Sequence, residues 1–514
     1  MTSGAIVHGK DVPADLDLEC DVCIVGSGAG GAVLAAGLAE QGLRVIVLES
    51  GGHFTKADFN GQEGWAYPAL YQDRGTRATA DLGIAILQGH NVGGGTTVNW
   101  TTCFRTPQRI LDHWGEHRGL RTWDAATLAP HFAAIEQRLH IEEWPETSAN
   151  ANNRVLLDGC RKLGWEVAPL RRNVRYCGNT GMCGLGCPLD AKQAMAITYL
   201  ADAVQAGATV HADCPVRRLV RDGARITAVE AEIVERDTGR PRGPKVRVRA
   251  KVVSVSGGAI NSPALLLRSG ITEGPVGRRT FLHPVVALPA LYDHRIDGFF
   301  GAPQSIGSHH FIDRGPDEVG FFLEVPPLQP MLVASASPAF GPTQQELMSR
   351  LPHLGVLIAI HVDGLLPGDE GGAVTVKSDG RAAVDYPIRP ALARAFRAAH
   401  EAMGAIAFAA GAKEVVSTHR DPLRLASADA LAQLADRPYG ALEHSIFSAH
   451  QMGGCAMGPD PATSVVDEQL RHHHVRNLFV VDGSVLPTAL GVNPSETIYA
   501  LAHRARDFVA AALG

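Results

Sequence analysis

DVCIVGSGAGGAVLAAGLAEQGLRVIVLES, residues 21–50, is the stretch on which the fold turns. Its first apolar run stops at Gly26, as a buried strand does. AVLAAGLAEQG then carries apolar residues at helical spacing and closes on Gly42, and RVIVLES is a second apolar strand. A strand, a crossover helix and a second strand within about 30 residues require a parallel sheet and a right-handed connection. Between the first strand and the helix stands G-S-G-A-G-G, with Gly26, Gly28 and Gly31 at the spacing of a dinucleotide-binding turn. The first glycine permits the tight turn, the second admits a pyrophosphate against the backbone, and the third lets helix and strand pack closely. Ala29 opens the helix, whose free N–H groups and dipole face the phosphates. Glu49, followed by Ser50, ends the second strand eighteen residues after Gly31, where an acid accepts from a ribose diol. This motif alone fits either FAD or NAD.

Outward from this unit, about 110 to 200 reads as helical and rich in loops. From about 208 to 257, short alternating runs predict a β-meander returning to a buried strand, VVSVS. Residues of about 285 to 385 alternate apolar stretches with Pro and Gly, as a mostly antiparallel sheet carrying a substrate pocket would. NLFVVDGSVLP and the final amphipathic stretch read as a strand, a turn and a helix. Nucleotide-binding signals at both ends imply one domain assembled from separate segments. We expect 1–110, 200–284 and 441–514 to build it, and 111–199 with 285–440 to form a substrate-binding region.

The chain has 514 residues and a formal net charge of −6, with no basic patch to suggest a nucleic-acid partner. MTSGAIVHGKDVPADLDLEC has neither the basic nor the apolar region of an export signal. Its apolar runs fall short of the roughly 20 residues that span a bilayer. The expectation is a cytoplasmic protein without a membrane span. Nine cysteines, odd in number and scattered, argue against a disulfide framework.

Four further segments carry a resemblance. GHNVGGGTTVNW (89–100), GAINSPALLLRSG (258–270), HQMGGCAMG (450–458) and VVDGSVLPTALGVNPSETIYALA (480–502) stand in order along the chain. Together with the first turn they resemble the glucose–methanol–choline (GMC) oxidoreductases over nearly the whole length. The resemblance implies an α/β fold: a Rossmann-like FAD domain built from several segments, and a substrate domain with a mainly antiparallel sheet backed by helices. It implies FAD along Gly89, Val92, Gly93, Gly94, Gly95, Thr96 and Asn99, with Asp482 and Gly483 at the ribityl and pyrophosphate. Val216 would lie on the adenine side, and Asn493 with Pro494 near the flavin. Some members attach flavin covalently through a histidine in the glycine-rich loop. Here that stretch reads TTVNW, with Val98 near the place, so non-covalent FAD is expected.

The implied activity is oxidation of an alcohol, with a hydrophobic or long-chain substrate. Removing a hydroxyl proton needs a base active near working pH, and histidine supplies one. The developing alkoxide needs a donor, and an asparagine amide donates at any pH. His450 and Asn493 match the family's His/Asn pair. His444 is expected to be supporting or at the surface, and His472–His474 to form a solvated loop. The electron acceptor is left open among O2, a quinone and a redox protein. A lyase on the same flavin scaffold and an NAD-dependent dehydrogenase are the competing classes.

CGNTGMCGLGCPLDAKQ sets Cys177, Cys183 and Cys187 at C-x5-C-x3-C spacing. Three thiolates could ligate an iron–sulfur cluster. The spacing resembles the cluster-binding loop of FAD-dependent gluconate, fructose and glucose dehydrogenases, which would favour a sugar or polyol substrate. Similar loops occur in GMC relatives where no cluster is implied, and the thiols could equally pack or pair locally.

Overall fold

A computed structural model describes residues 4–513; Met1–Ser3, the start of the stretch read for an export signal, lie outside them. The strands Leu16–Val25 and Val45–Leu48 pair in parallel, with the helix Ala29–Glu40 between them in sequence. They sit near the centre of an eight-stranded sheet. On one side follow Thr209–His211 and Ala5–Val7, both parallel. On the other, Pro241–Val255 runs parallel to Leu16–Val25 over nine residue pairs, Val246↔Leu16 to Val255↔Val25.

That long strand has two partners on its far edge. Its first half pairs with Arg225–Val234, which turns back onto Val216–Asp222 and completes the expected meander. Its last three residues pair in parallel with Leu478–Val480. The C-terminal segment thereby delivers Asp482 and Gly483 beside the glycine turn. Buried on both faces, the central strands read as continuous apolar runs.

The substrate half is antiparallel. Phe321–Glu324, Leu354–His361, Val285–Leu291, Glu414–Val416 and Arg424–Leu425 form one sheet, backed by the helix Pro390–Ala409. A smaller sheet runs Ala382–Asp385, Gly372–Val376, Arg278–Leu282, Gln451–Gly453.

The cores divide the chain differently from the sequence reading. Leu128, Phe132, Ile135 and Leu139 belong to the core of the nucleotide-binding sheet, because the helix Ala125–Leu139 packs on the C-terminal helix Ser495–Ala511. Val155, Leu156 and Cys160, on the next helix, join the core of the antiparallel sheet. The expected grouping of 111–199 with the substrate region is thus split between two cores.

Candidate active site

Two chain segments cross side by side at the junction of the antiparallel sheets. One passes from Arg278–Leu282 to Val285–Leu291, the other from Phe447–Ser448 to Gln451–Gly453. Their register pairs Leu282 with Gln451 and Val285 with Phe447, which sets His283 opposite His450. The His283 amide donates to the His450 carbonyl at 3.3 Å, and the rings meet Nδ1 to Nδ1 at 3.0 Å. His283 is fully buried, and its Nε2 has no partner among the described residues. Desolvation pushes His450 down to about 4 and His283 well below the usual histidine range. Both rings are therefore neutral near pH 7.

His450 lines a cavity of about 960 Å³, at the upper end of small-molecule sites. Asn493 lines the same cavity. Its Nδ2 donates to the buried carboxyl of Glu324 at 3.4 Å, while its Oδ1 is buried without a partner. Glu324 also accepts from Gln304 Nε2, and Gln304 accepts from Thr102 Oγ1 at 2.9 Å. Burial raises Glu324 to about 8, so the group is largely protonated at neutral pH. Val285, Ile358, Ile360 and Phe447 form an apolar part of the cavity lining.

The cavity runs on to the glycine turn, past Gly26, Gly28, Ala29, Glu49, Ser50 and Val216. Glu49 accepts from Ser27 N at 2.9 Å, Ser27 Oγ at 2.7 Å and Gly51 N at 2.8 Å, which fixes its carboxylate at the strand end. Ser27 Oγ in turn accepts from Gly93 N at 3.1 Å, tying the two glycine loops together. A Cβ on Gly94 would stand 2.8 Å from the Gly28 Cα, so the loops approach at a distance only glycine permits. Gly89, Gly95, Thr96, Asn99, Gly483 and Pro494 complete this lining.

Three expected cofactor contacts do not line the cavity. Gly31 packs helix on strand, where a Cβ would collide with the Gly26 carbonyl. Val92 is buried in the core. Gly93, at φ +99°, makes the left-handed turn that aims its amide at Ser27. Asp482 does line the cavity, yet its carboxyl is already engaged. It accepts from Ser262 Oγ at 2.5 Å, Gly258 N at 2.8 Å and Ser484 N at 2.8 Å. Its direct role is to staple the helix Gly258–Arg268 to the C-terminal turn.

The donor set fits FAD. A glycine cradle meets a free helix N-terminus, a fixed acid stands where a ribose would lie, and the space continues to the histidines. Asn99 Oδ1 and Asn493 Oδ1 are buried acceptors without partners among the described residues, as groups awaiting a ligand's donors would be.

The cysteine loop and the remaining histidines depart from expectation. Cys177, Cys183 and Cys187 border one small space of about 10 Å³, room for about one water. Among the described residues no group of three or more His, Cys, Asp or Glu is placed to hold a metal. The expected cluster ligands are thus not gathered around room for a cluster. Instead Arg172 Nη2 reaches Cys183 Sγ at 3.8 Å, and Lys192 Nζ donates to the carbonyls of Thr97, Asn99 and Cys183 at 2.6–2.9 Å. The cysteine loop braces the back of the flavin loop. His444 is buried, not at the surface; its ring packs on His400, His419 and Tyr439 with centroids 5.2–5.7 Å apart. His472 is likewise buried, while His474 is exposed.

Comparison with known proteins agrees with this geometry. Residues 67–285 and 367–502 match the GMC oxidoreductase family, and 24–93 match an NAD(P)-binding Rossmann-like domain. A GMC-type oxidoreductase of Mycobacterium tuberculosis is 32% identical, over 95% of this chain and 75% of that protein. The long-chain-alcohol oxidase FAO4B of Arabidopsis thaliana is 32% identical over 95% of this chain. The chain spans 66% of that relative's length. Among solved structures, pyridoxine 4-oxidase from Mesorbium loti superposes with a TM-score of 0.70 at 22% identity, covering 96% of this chain and 99% of that one. The chain belongs to the GMC oxidoreductase family. It is an FAD-dependent oxidoreductase.

Proposed function

We propose that the protein oxidises the CH–OH group of a hydrophobic alcohol to an aldehyde or ketone, with non-covalently held FAD. One observation supports the reading: His450 and Asn493 both line the cavity that ends at the glycine turn. Bound FAD supplies a hydride acceptor. Everything else falls to the protein. His450 Nε2, which makes no hydrogen bond among the described residues, takes the hydroxyl proton. A neutral imidazole is the form able to do so, and burial keeps it neutral. Asn493 holds one N–H on Glu324 and has a second to offer the substrate oxygen.

The apolar residues Val285, Ile358, Ile360 and Phe447 suit an alkyl chain, in keeping with the long-chain-alcohol oxidase relatives. Val98 lines the cavity where some family members carry the flavin-linking histidine, which supports a non-covalent cofactor.

Anaerobic mixing of the yellow holoprotein with primary alcohols of increasing chain length tests this. Flavin absorption should bleach, faster for longer chains. Faster bleaching by a polyol would move the substrate class, and no bleaching by any alcohol would sink the redox reading in favour of the lyase.

A further inference from the structure

A single proton lies between the two Nδ1 atoms at the junction. With the Nδ1 atoms 3.0 Å apart, one ring donates and the other accepts. Were His283 the donor, the His450 proton would sit on Nε2, and His450 would meet the cavity as N–H with no lone pair to offer. Were His450 the donor, its Nε2 would be bare. Once Nε2 has taken a proton the choice disappears. An imidazolium carries hydrogen on both nitrogens, so the Nδ1–H must donate and His283 must accept. Without that acceptor a cationic N–H would be buried unpaired, a state costlier than a lost neutral hydrogen bond.

We infer that His283 is a positioning residue: its Nδ1 lone pair holds His450 in the Nδ1–H tautomer and receives that hydrogen bond throughout the reaction. This deepens the proposed function and rests on its reading of His450 as the base. In the step itself the substrate O–H bond breaks and a bond to hydrogen forms at His450 Nε2. Bound FAD would supply the acceptor for the hydrogen and electron pair released from carbon. His283 neither gains nor loses a proton.

The surroundings of His283 favour a ring that stays neutral. The His450 ring faces it at 79°, and the Phe322 ring stands edge-on at 6.0 Å. The carbonyl of the adjacent Pro284 is taken by His361 Nδ1 at 2.9 Å. Arg109 and His361 are the remaining titratable groups near enough to act on it, and either as a cation opposes protonation of His283. Among the described residues no carboxylate hydrogen-bonds either ring of the pair. The place an aspartate takes beside the histidine of a serine-protease triad is held here by a neutral acceptor.

The test combines kinetics with a direct view of the tautomer. His283→Phe keeps the bulk and removes the lone pair. It should slow flavin reduction by about 10²-fold or more while changing KM little, since binding is left alone. His283→Asn puts an oxygen acceptor near the Nδ1 position and should recover most of that loss. Independently of turnover, ¹⁵N spectra of histidine-labelled holoprotein, with His450 assigned by comparison with His450→Ala, should show its hydrogen on Nδ1 and a bare Nε2 at pH 7. Hydrogen on Nε2, or a His283→Phe variant reducing flavin at the wild-type rate, would overturn the inference. If the Phe variant does not fold, the Asn variant and the wild-type spectrum still decide it. A His450→Ala variant that reduces flavin normally would instead overturn the base assignment, whatever the tautomer proves to be.

Discussion

The two ends of the cavity are built by different means. At the nucleotide end, backbone does the work. Gly26, Gly31 and Gly94 permit close approaches, helix N–H groups stand free, and Glu49 is fixed by Ser27 in the turn and by its neighbour Gly51. At the catalytic end, side chains from distant segments meet: His283 with His450, and Glu324 with Asn493. The first end is made of backbone and tolerates no added atom at Gly26, Gly31 or Gly94. The second depends on register and protonation state, and can be changed chemically without changing shape.

The largest expected effect tests the rigid end. Gly31→Val places a branched side chain where even a Cβ collides with the Gly26 carbonyl. Helix and strand would be forced apart, and the protein should be recovered without FAD or not at all. Absorption of the purified variant reads this directly. Retention of a normal flavin spectrum would show that the close approach is not what makes the cradle.

Next comes the chemical end. His450→Ala should keep FAD yet slow its reduction by substrate by the roughly 10²–10⁴-fold typical of losing a general base. Asn493→Ala should cost less than that, because the substrate oxygen loses one donor while the base remains. Stopped-flow reduction of both variants ranks them, and the reverse order would make Asn493 the dominant group.

This contrast also explains which parts of the molecule are legible in sequence alone. The glycine turn, its terminal acid and the crossover helix lie within one stretch of about 30 residues, where spacing carries the geometry. The His450 and Asn493 segments are legible only by family resemblance. His283 and Glu324 carry no motif. Their partners lie 167 and 169 residues away, and only the pairing of Leu282 with Gln451 and Val285 with Phe447 reveals the histidine contact. The cysteine loop misleads for the opposite reason. Its spacing suggests ligands, but Arg172 and Lys192, which set its actual role, belong to no recognisable pattern.

A smaller effect follows from buried titratable groups, in which histidines and carboxyls act with opposite sign. His361, His419 and His450 are lowered to about 4 and His444 to about 3, mainly by burial. Unfolding lets each return to about 6.5. Between those values the unfolded chain binds more protons, so stability rises with pH. Glu324 and Glu496 are raised to about 8 by burial. From about 4.5 to 8 the folded protein holds more protons than the unfolded, and stability falls as pH rises. The melting temperature should therefore climb from pH 4, pass a maximum at about 6.5, and decline towards 8. Calorimetry of Glu324→Gln should show a shallower decline on the alkaline side with the acid limb unmoved. A parallel shift of both limbs would mean that Glu324 does not titrate in this window.

The smallest effect belongs to the loop behind the flavin segment. Lys192 Nζ bonds three carbonyls, two of them in the flavin loop, whereas the cysteines border a space for about one water. Lys192→Met should weaken FAD retention by leaving those carbonyls unpaired. Cys177→Ser, at a partly exposed position, should alter flavin content and reduction rate by no more than about twofold, since a surface-side polar exchange changes stability by about 0.5 kcal/mol or less. Iron analysis of the wild-type protein sharpens the point. Stoichiometric iron lost in Cys177→Ser would mean that the loop opens to gather ligands, and would move this segment from bracing the cradle to carrying electrons from it.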